Sequence, residues 1–118
     1  MERATSLDEQ VRTNLANIAA APQFAGNRVW LTFYLCGPPE KLQIVSRGLA
    51  DRGWLNTDGW EGGFLYPKLE ADLTAAAILE VALAVQALCG LSQVEILNID
   101  VDTSPDVKRS QFMTLYRS

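Results

Sequence analysis

Apolar residues at helical spacing predict the first two helices of the chain. Ser6 followed by Glu9 is a capping-box pattern, which predicts a helix that starts there and ends near Pro22. Its predicted buried stripe is Leu7, Val11, Leu15 and Ile18. Pro39 fits the first turn of a second helix, because its missing N–H needs no partner there, and Gly53 suits a left-handed cap at the end. The stripe predicted for this helix is Leu42, Val45 and Leu49, with Ile44 at its edge.

Residues 71–89 predict a third helix that is apolar on every side. At 100° per residue, its strongest apolar face is Leu73, Ala77, Ile78, Val81, Ala84, Val85 and Leu88. The opposite side carries Leu79 and Leu83 among alanines. A membrane span is disfavoured, because Glu80 lies in mid-helix and no basic residues flank the segment.

An apolar face of this size is rarely left in contact with water, so the third helix needs a second cover. The N-terminal helix of the same chain is one candidate, and a second copy of the chain is the other. We favour a homodimer, because alanines permit close approach of helices and one narrow stripe need not cover the whole face. Its predicted interface residues are Leu79 and Leu83.

Period-two alternation predicts the strands. The segment 29–35 is aromatic and β-branched, and it is apolar on both faces, which is typical of a central strand. Its faces are Val29, Leu31, Phe33 and Leu35 on one side and Trp30, Thr32 and Tyr34 on the other. The segment 93–101 predicts another strand, with Leu97, Ile99 and Val101 opposite Asn98, Asp100 and Asp102. Residues 112–116 predict a last short strand or an extended tail.

Residues 54–66 predict a hairpin, because Asp58-Gly59 separates two short aromatic runs, and Pro67 ends it. Without the first helix, the element order is β-α-β-β-α-β plus a tail. This order predicts an α+β, ferredoxin-like fold, an antiparallel sheet with helices on one face. We expect a single domain over residues 1–118, with an N-terminal helix in 1–22, the ferredoxin-like core in 28–102 and a C-terminal extension in 103–118.

Composition narrows the chemistry. The 118 residues are 48% hydrophobic and 20% charged, as in ordinary globular proteins, and the net charge is −4. Direct nucleic-acid binding is disfavoured, because a basic surface would be expected for it. The chain has no histidine, which removes the commonest general base and the commonest metal ligand. We therefore expect no catalytic residue, no cofactor and no metal.

The N-terminal residues and the cysteines indicate the cellular compartment. Residues 1–6 lead into a charged amphipathic stretch and not into the apolar core of a signal peptide. Cys36 and Cys89 lie within apolar runs, which favours two buried free thiols over a disulfide. We expect a cytoplasmic protein that does not bind membranes.

Two groups of residues are candidates for binding a protein partner. Asp100 and Asp102 project from one strand face with Asn98, but a divalent metal needs more oxygen ligands than these supply, so a solvated face or partner patch is favoured. Trp54 and Trp60 flank a glycine-rich turn, and aromatic residues ringed by charge are typical interface anchors. The alternative for the tryptophans is ordinary core packing, the more frequent outcome in strands. The candidate partner-binding residues are Trp54, Trp60, Glu61, Asp100 and Asp102.

The layout over residues 7–102 resembles the small ribonuclease E inhibitor (RraB-like) proteins. The similarity lies in an acidic N-terminal helix, a strand, a short helix ending in Ala50-Asp51-Arg52-Gly53-Trp54, and then the second half of the sandwich. It implies a ferredoxin-like core that regulates an RNA-degrading enzyme by protein contact. The chain differs at Lys108-Arg109, where the family tends to have an acidic tail, and at Asp58-Gly59-Trp60, which precedes the last helix here. No site residue is therefore carried over.

The favoured function is that of a small acidic regulatory protein without catalysis. Its charge suits a basic enzyme such as a ribonuclease, which it would inhibit by binding. The alternative is a small-molecule-binding or sensory module, with its ligand against the sheet or at a dimer seam. An enzyme that uses only carboxylates, tyrosine or lysine is the least favoured class.

Overall fold

The computed structural model describes residues 6–24, 28–106, 108 and 111–118. These residues form an α+β fold with three helices and a five-stranded antiparallel sheet. The helices are α1 (Leu7–Ala20), α2 (Pro39–Ala50) and α3 (Ala75–Leu91), and the strands are β1 (Arg28–Cys36), β2 (Phe64–Leu65), β3 (Lys68–Asp72), β4 (Glu95–Asp102) and β5 (Phe112–Arg117). Two sequence predictions concern residues outside the described ones: the start of the 1–22 segment and Arg109.

The first two helices form as their patterns predict. The Ser6 side chain accepts a hydrogen bond from the Glu9 N–H at 3.1 Å, which caps α1. Gly53 has φ 87°, a left-handed conformation that glycine adopts without strain, and it follows the last turn of α2. Both predicted stripes are buried: Leu7, Val11, Leu15 and Ile18 in α1, and Leu42, Val45 and Leu49 in α2.

Strand β1 lies in the middle of the sheet, as its apolar faces predicted. It pairs antiparallel with β4 on one side and with both β2 and β3 on the other, and β5 pairs with the far side of β4. Its core-facing side chains are between 0% and 1% exposed: Val29, Leu31, Phe33 and Leu35. Each buried side chain of this size contributes about 1.5–3 kcal/mol to stability.

The predicted hairpin at 54–66 is reduced to a single antiparallel bridge between Leu55 and Lys68. Strand β3 lies beyond Pro67, where the sequence analysis ended the hairpin. Pro67 has no N–H to give to β1, so the ladder is interrupted between β2 and β3. Its carbonyl still accepts a hydrogen bond from the Phe33 N–H at 3.1 Å, and the chain therefore continues along the same edge.

A bulge corrects the predicted faces of β4. Tyr34 pairs with Asn98 but Leu35 pairs with Ile96, so Leu97 is the extra residue in the ladder. Ile96 therefore takes the core position that the alternation assigned to Leu97, which is half-buried. From Asn98 onward the predicted alternation holds.

The predicted phase of α3 is only partly correct. The Thr74 side chain accepts a hydrogen bond from the Ala77 N–H at 3.1 Å, so the helix starts later than predicted, and residues 71 and 72 belong to β3. Val81 and Leu88, which we placed at the centre of the core face, are only half-buried. The buried residues are Ile78, Leu79, Ala82, Val85 and Cys89.

The three helices share one hydrophobic core on one face of the sheet. Helix α1 packs against α3 and β5 and is thus the intrachain cover that we considered for α3. Its Gln10 amide donates to the Arg117 carbonyl at 2.9 Å and accepts from the Arg117 N–H at 3.1 Å. Asn14 donates to the Leu115 carbonyl at 2.8 Å. These side chains occupy the outer edge of β5.

Cys36 and Cys89 are free thiols, as predicted, but only Cys89 is buried, whereas Cys36 is half-buried. Burial raises the pKa of the Cys89 thiol to about 12, so Cys89 is unreactive at neutral pH. Among the described residues, none of the helices combines the length and the apolar composition that crossing a bilayer requires.

The burial pattern of α3 gives a stability prediction. Ile78→Asp places an unpaired charge at a position that is 0% exposed, and we expect it to lower the free energy of unfolding by at least about 4 kcal/mol. Gln86→Asp, at an exposed position of the same helix, is the control and should lower it by less than about 1 kcal/mol. Urea unfolding followed by circular dichroism measures both. Equal losses in the two variants would contradict the observed phase.

Candidate functional site

The sheet face opposite the helices is the candidate functional site, and we call it the open face. On β1 it is formed by Trp30, Thr32 and Tyr34, whose alternation the sequence already indicated. The register adds side chains from the other strands: Lys68 and Glu70 from β3, Asn98, Asp100 and Asp102 from β4, and Phe112 and Thr114 from β5. Within the described residues, all three helices pack on the other side of the sheet.

A buried polar chain lies at the centre of the open face. The Lys68 ammonium donates to Thr32 Oγ1 at 2.7 Å, and the Thr32 hydroxyl donates to Asp102 Oδ2. Lys68 Nζ is also 3.9 Å from Asp102 Oδ2. Thr32 and Asp102 are only 4% and 7% exposed, so this ion pair is little screened by water. Lys68 thus neutralises Asp102, whose charge would be costly to bury without a partner.

Asp100 is held by neutral donors. The Asn98 amide donates to Asp100 Oδ1 at 2.7 Å, and the Tyr34 hydroxyl also hydrogen-bonds to this carboxylate. Burial, the hydrogen bond to Asp100 and the negative charges of Asp100 and Asp102 together raise the pKa of Tyr34 to about 12. No ion pair to Asp100 is found among the described residues, although its exposure is only 4%.

Aromatic and aliphatic side chains lie around this polar centre. The Tyr34 and Tyr66 rings meet edge to face, with centroids 5.3 Å apart, and the Phe64 and Tyr66 rings are parallel at 6.5 Å. Leu55 pairs with Lys68 and therefore lies on the same face. The described residues include seven exposed large hydrophobic side chains, and four of them belong to this face: Leu55, Phe64, Tyr66 and Phe112.

Ion pairs lie at the outer corner of the open face. Arg28 binds Glu70 at 2.7 Å and Asp72 at 2.8 Å, all three being about half exposed. Such exposed pairs contribute little to stability, about 0–1 kcal/mol. With Asp100 and Asp102, the described part of the face carries four carboxylates against three cations, Arg28, Lys68 and Arg117, so it is net acidic.

Lys68 is not placed to act as a base towards the Thr32 hydroxyl. Thr32 Oγ1 is the only hydroxyl in the buried polar chain described above, and it receives a hydrogen bond from the Lys68 ammonium. An ammonium that donates to this oxygen cannot also remove its proton. Among the described residues there is no group of three or more acidic, cysteine or histidine side chains placed to hold a metal ion.

The structure does not bring the five predicted partner-binding residues together. Asp100 and Asp102 lie in the centre of the open face. Trp54 lies on the helix side, 8% exposed, with its ring edge-on to Phe33 at 5.4 Å, so the core-packing alternative holds for it and it is not an exposed anchor. Trp60 is half-buried against the core, and Glu61 is exposed in the turn beside it.

The two predicted dimer residues, Leu79 and Leu83, also differ in their exposure to solvent. Leu79 is 7% exposed and is therefore occupied within its own chain, whereas Leu83 is 49% exposed.

Several side chains of the open face were not singled out from the sequence. Lys68 and Phe112 join the face only through strand pairing, and no local pattern indicates which strands are neighbours. The available signal was the polar or aromatic residue at every second position of β1.

Comparison of the chain with protein-family models, with curated proteins and with solved structures gave no match. The function must therefore be argued from the site itself.

The raised pKa of Tyr34 predicts how the free energy of unfolding depends on pH. The folded protein keeps the phenolic proton up to about pH 12, whereas an unfolded chain loses it near the ordinary tyrosine pKa of 10.0. The stability that Tyr34 contributes is therefore complete below pH 10 and is lost as the pH rises towards 12. We expect the free energy of unfolding to fall more steeply over this range in the wild type than in Tyr34→Phe. Denaturant unfolding at several pH values measures it, and identical slopes would contradict the Tyr34–Asp100 contact.

Proposed function

We propose that the chain is a non-enzymatic regulatory protein that binds another protein through the open face. The observation that carries this proposal is the position of Leu55, Phe64, Tyr66 and Phe112, four exposed large apolar side chains on the one sheet face that no described helix covers. Large exposed apolar patches mark interaction sites, and aromatic residues are enriched at the centres of protein interfaces.

The charge of the open face supports a basic protein as the partner. Among the described residues its four carboxylates outnumber its three cations, and the whole chain carries −4. Such a surface steers basic partners towards it and repels the phosphates of nucleic acids. Exposed aromatic rings on a sheet can stack on the bases of single-stranded RNA, but the adjacent carboxylates oppose that use here. The binding should weaken as the salt concentration rises.

We propose further that the sheet is a ferredoxin-like derivative. The antiparallel order of β4, β1 and β3 fits that fold, and Leu55, through its bridge to Lys68, occupies the place of the remaining strand. On this interpretation β5 is an addition at the edge of β4, and α1 is an addition that packs beside it.

The proposed partner class includes a ribonuclease. The resemblance of residues 7–102 to the RraB-like inhibitors supports an enzyme of the ribonuclease E type, which the chain would inhibit by contact. A cytoplasmic location belongs to the same proposal, and the free thiols of Cys36 and Cys89 support it.

Small-molecule binding is the alternative function, and one observation favours it. A cavity of about 230 Å³ lies between the end of α2 and the side of α3, on the opposite side of the sheet from the open face. It is smaller than the pockets that hold drug-sized ligands, so a small metabolite would be its ligand.

A homodimer through α3 remains part of the proposal, with a changed interface. Leu83 and Leu91 are 49% and 87% exposed, and alanines at exposed positions separate them: Ala84 and Ala87. Leu79 is excluded because it is buried within its own chain. Two copies of this face would cover each other around a two-fold axis.

The dimer proposal is tested by Leu83→Glu. We expect this variant to remain folded, since residue 83 is exposed, and to be monomeric where the wild type is dimeric, because the introduced carboxylates repel each other across the axis. Light scattering coupled to gel filtration measures the mass of each. A wild type that is monomeric at high concentration would refute the dimer.

The open face is tested by a photoreactive phenylalanine analogue at position 64. In lysate of the native organism, illumination should give a discrete protein adduct that unlabelled wild-type protein competes away. The matched control places the analogue at position 44, since Ile44 is 54% exposed but lies on α2. An adduct with nucleic acid, or equal adducts at both positions, would count against a protein partner on this face.

The same face is tested with a purified partner, first with ribonuclease E. Tyr66→Ala removes a ring that contacts both Tyr34 and Phe64, and we expect it to weaken binding by at least about 2 kcal/mol, roughly thirtyfold. Ile44→Ala is the control and should leave the affinity unchanged. Unimpaired binding by a folded Tyr66→Ala variant would refute the open face as the interface.

A further inference from the structure

The cavity between α2 and α3 has rigid apolar walls. Its floor includes Leu49 and Val85, which are 1% and 2% exposed, and the indole of Trp54, which is 8% exposed. The backbone N–H of Trp54 donates a hydrogen bond to the Leu49 carbonyl at 3.1 Å, and its ring makes the edge-to-face contact with Phe33. Half-buried Leu69 and Val81 complete the apolar lining.

Two opposite charges line the same cavity. Arg52 follows the last turn of α2, where its N–H donates to the Leu49 carbonyl at 3.0 Å, and Glu80 projects from α3. In the described part of the chain, neither side chain forms an ion pair or a hydrogen bond. Arg52 and Glu80 thus leave a guanidinium and a carboxylate at the cavity without partners from the protein.

We propose that this cavity binds a free α-amino acid with an apolar side chain. The guanidinium of Arg52 suits the ligand carboxylate, which it can bind with two parallel hydrogen bonds, and the carboxylate of Glu80 suits the ligand ammonium. The side chain of the amino acid would lie on Trp54, Leu69 and Val81, and it would remove their exposed apolar surface from water. A volume of about 230 Å³ limits the ligand to a molecule of this size.

Charge complementarity decides between this ligand and simpler ones. An apolar amine would leave Arg52 without a partner, and an apolar acid would leave Glu80 without one. A ligand that carries both charges beside an apolar group satisfies all three parts of the cavity. This inference rests on the alternative function, small-molecule binding, and it does not involve the open face.

The experiment is calorimetric titration of the full chain with matched ligands. Leucine and phenylalanine are compared with the amines that lack their carboxylate and with the acids that lack their ammonium. We expect at least one of the two amino acids to bind, and each of its one-charge analogues to bind about tenfold more weakly or not at all. If neither amino acid binds at millimolar concentrations, or if an analogue binds as well as its amino acid, the proposal is wrong.

Variants assign the charges. Arg52→Gln should weaken the amino acid about tenfold and leave the binding of the amine unchanged, while Glu80→Gln should weaken the amino acid and leave the acid unchanged. Arg47→Gln, exposed on α2 and outside the cavity, is the control and should bind like the wild type.

Ala84→Phe should fill the cavity and abolish binding while circular dichroism confirms the fold. Wild-type affinity in Arg52→Gln or in Glu80→Gln would overturn the proposed site. Because all these residues lie away from the open face, crosslinking at position 64 tests the protein-binding function separately.

Discussion

The structure depends on the alternation of side chains along β1, which pairs on both of its edges and serves both faces of the sheet. Its odd-numbered residues from Val29 to Leu35 point to the helices and are essentially inaccessible to water. Its even-numbered residues, Trp30, Thr32 and Tyr34, form the middle of the open face. A shift of the pairing by one residue would exchange the two sets and expose the core, so the register of the whole sheet is strongly specified by this one segment.

Once β1 is fixed, irregularities in its neighbours decide which side chains reach which face. The extra residue Leu97 allows Ile96 to enter the core while Asn98 and Asp100 stay on the open face. A second irregularity lies in β5, where Ile99 pairs with Tyr116 and Asp100 pairs with Thr114. These bulges let strands with imperfect alternation contribute to both faces.

The limits of sequence-based prediction follow from the same features. The stripe of α1 was predicted to the residue and that of α2 except for the buried Ser46, because polar positions alternate with the apolar ones and fix the phase of each helix. In α3 no polar face exists, so nothing local distinguishes Val81 from Ala82, and only the packing of α1 and of the sheet determines which one is buried. Trp54 was ambiguous for a similar reason, since a large aromatic residue serves equally well as an anchor or as core.

The candidate site was harder to predict than the fold, because it is assembled from residues that are distant in the chain. Asp102 was identified, but its neutralisation by Lys68 through Thr32 depends on the pairing of β1 with both β3 and β4. Such pairing is a property of the complete sheet and not of any single segment.

The edges of the sheet restrict where a partner can bind. The side chains of Gln10 and Asn14 occupy the outer edge of β5, and Glu70 and Asp72 place charges along β3. Occupied or charged edges resist the addition of a further strand, so edge-to-edge association is disfavoured on both sides.

A protein partner that buries apolar surface must then use a face and not an edge. In the described structure the exposed large apolar side chains lie on two such surfaces, the outer side of the helix layer with Ile44, Leu83 and Leu91, and the open face with the other four. Only the open face combines aromatic rings with an excess of carboxylates, and this combination favours it as the site that recognises a partner of opposite charge.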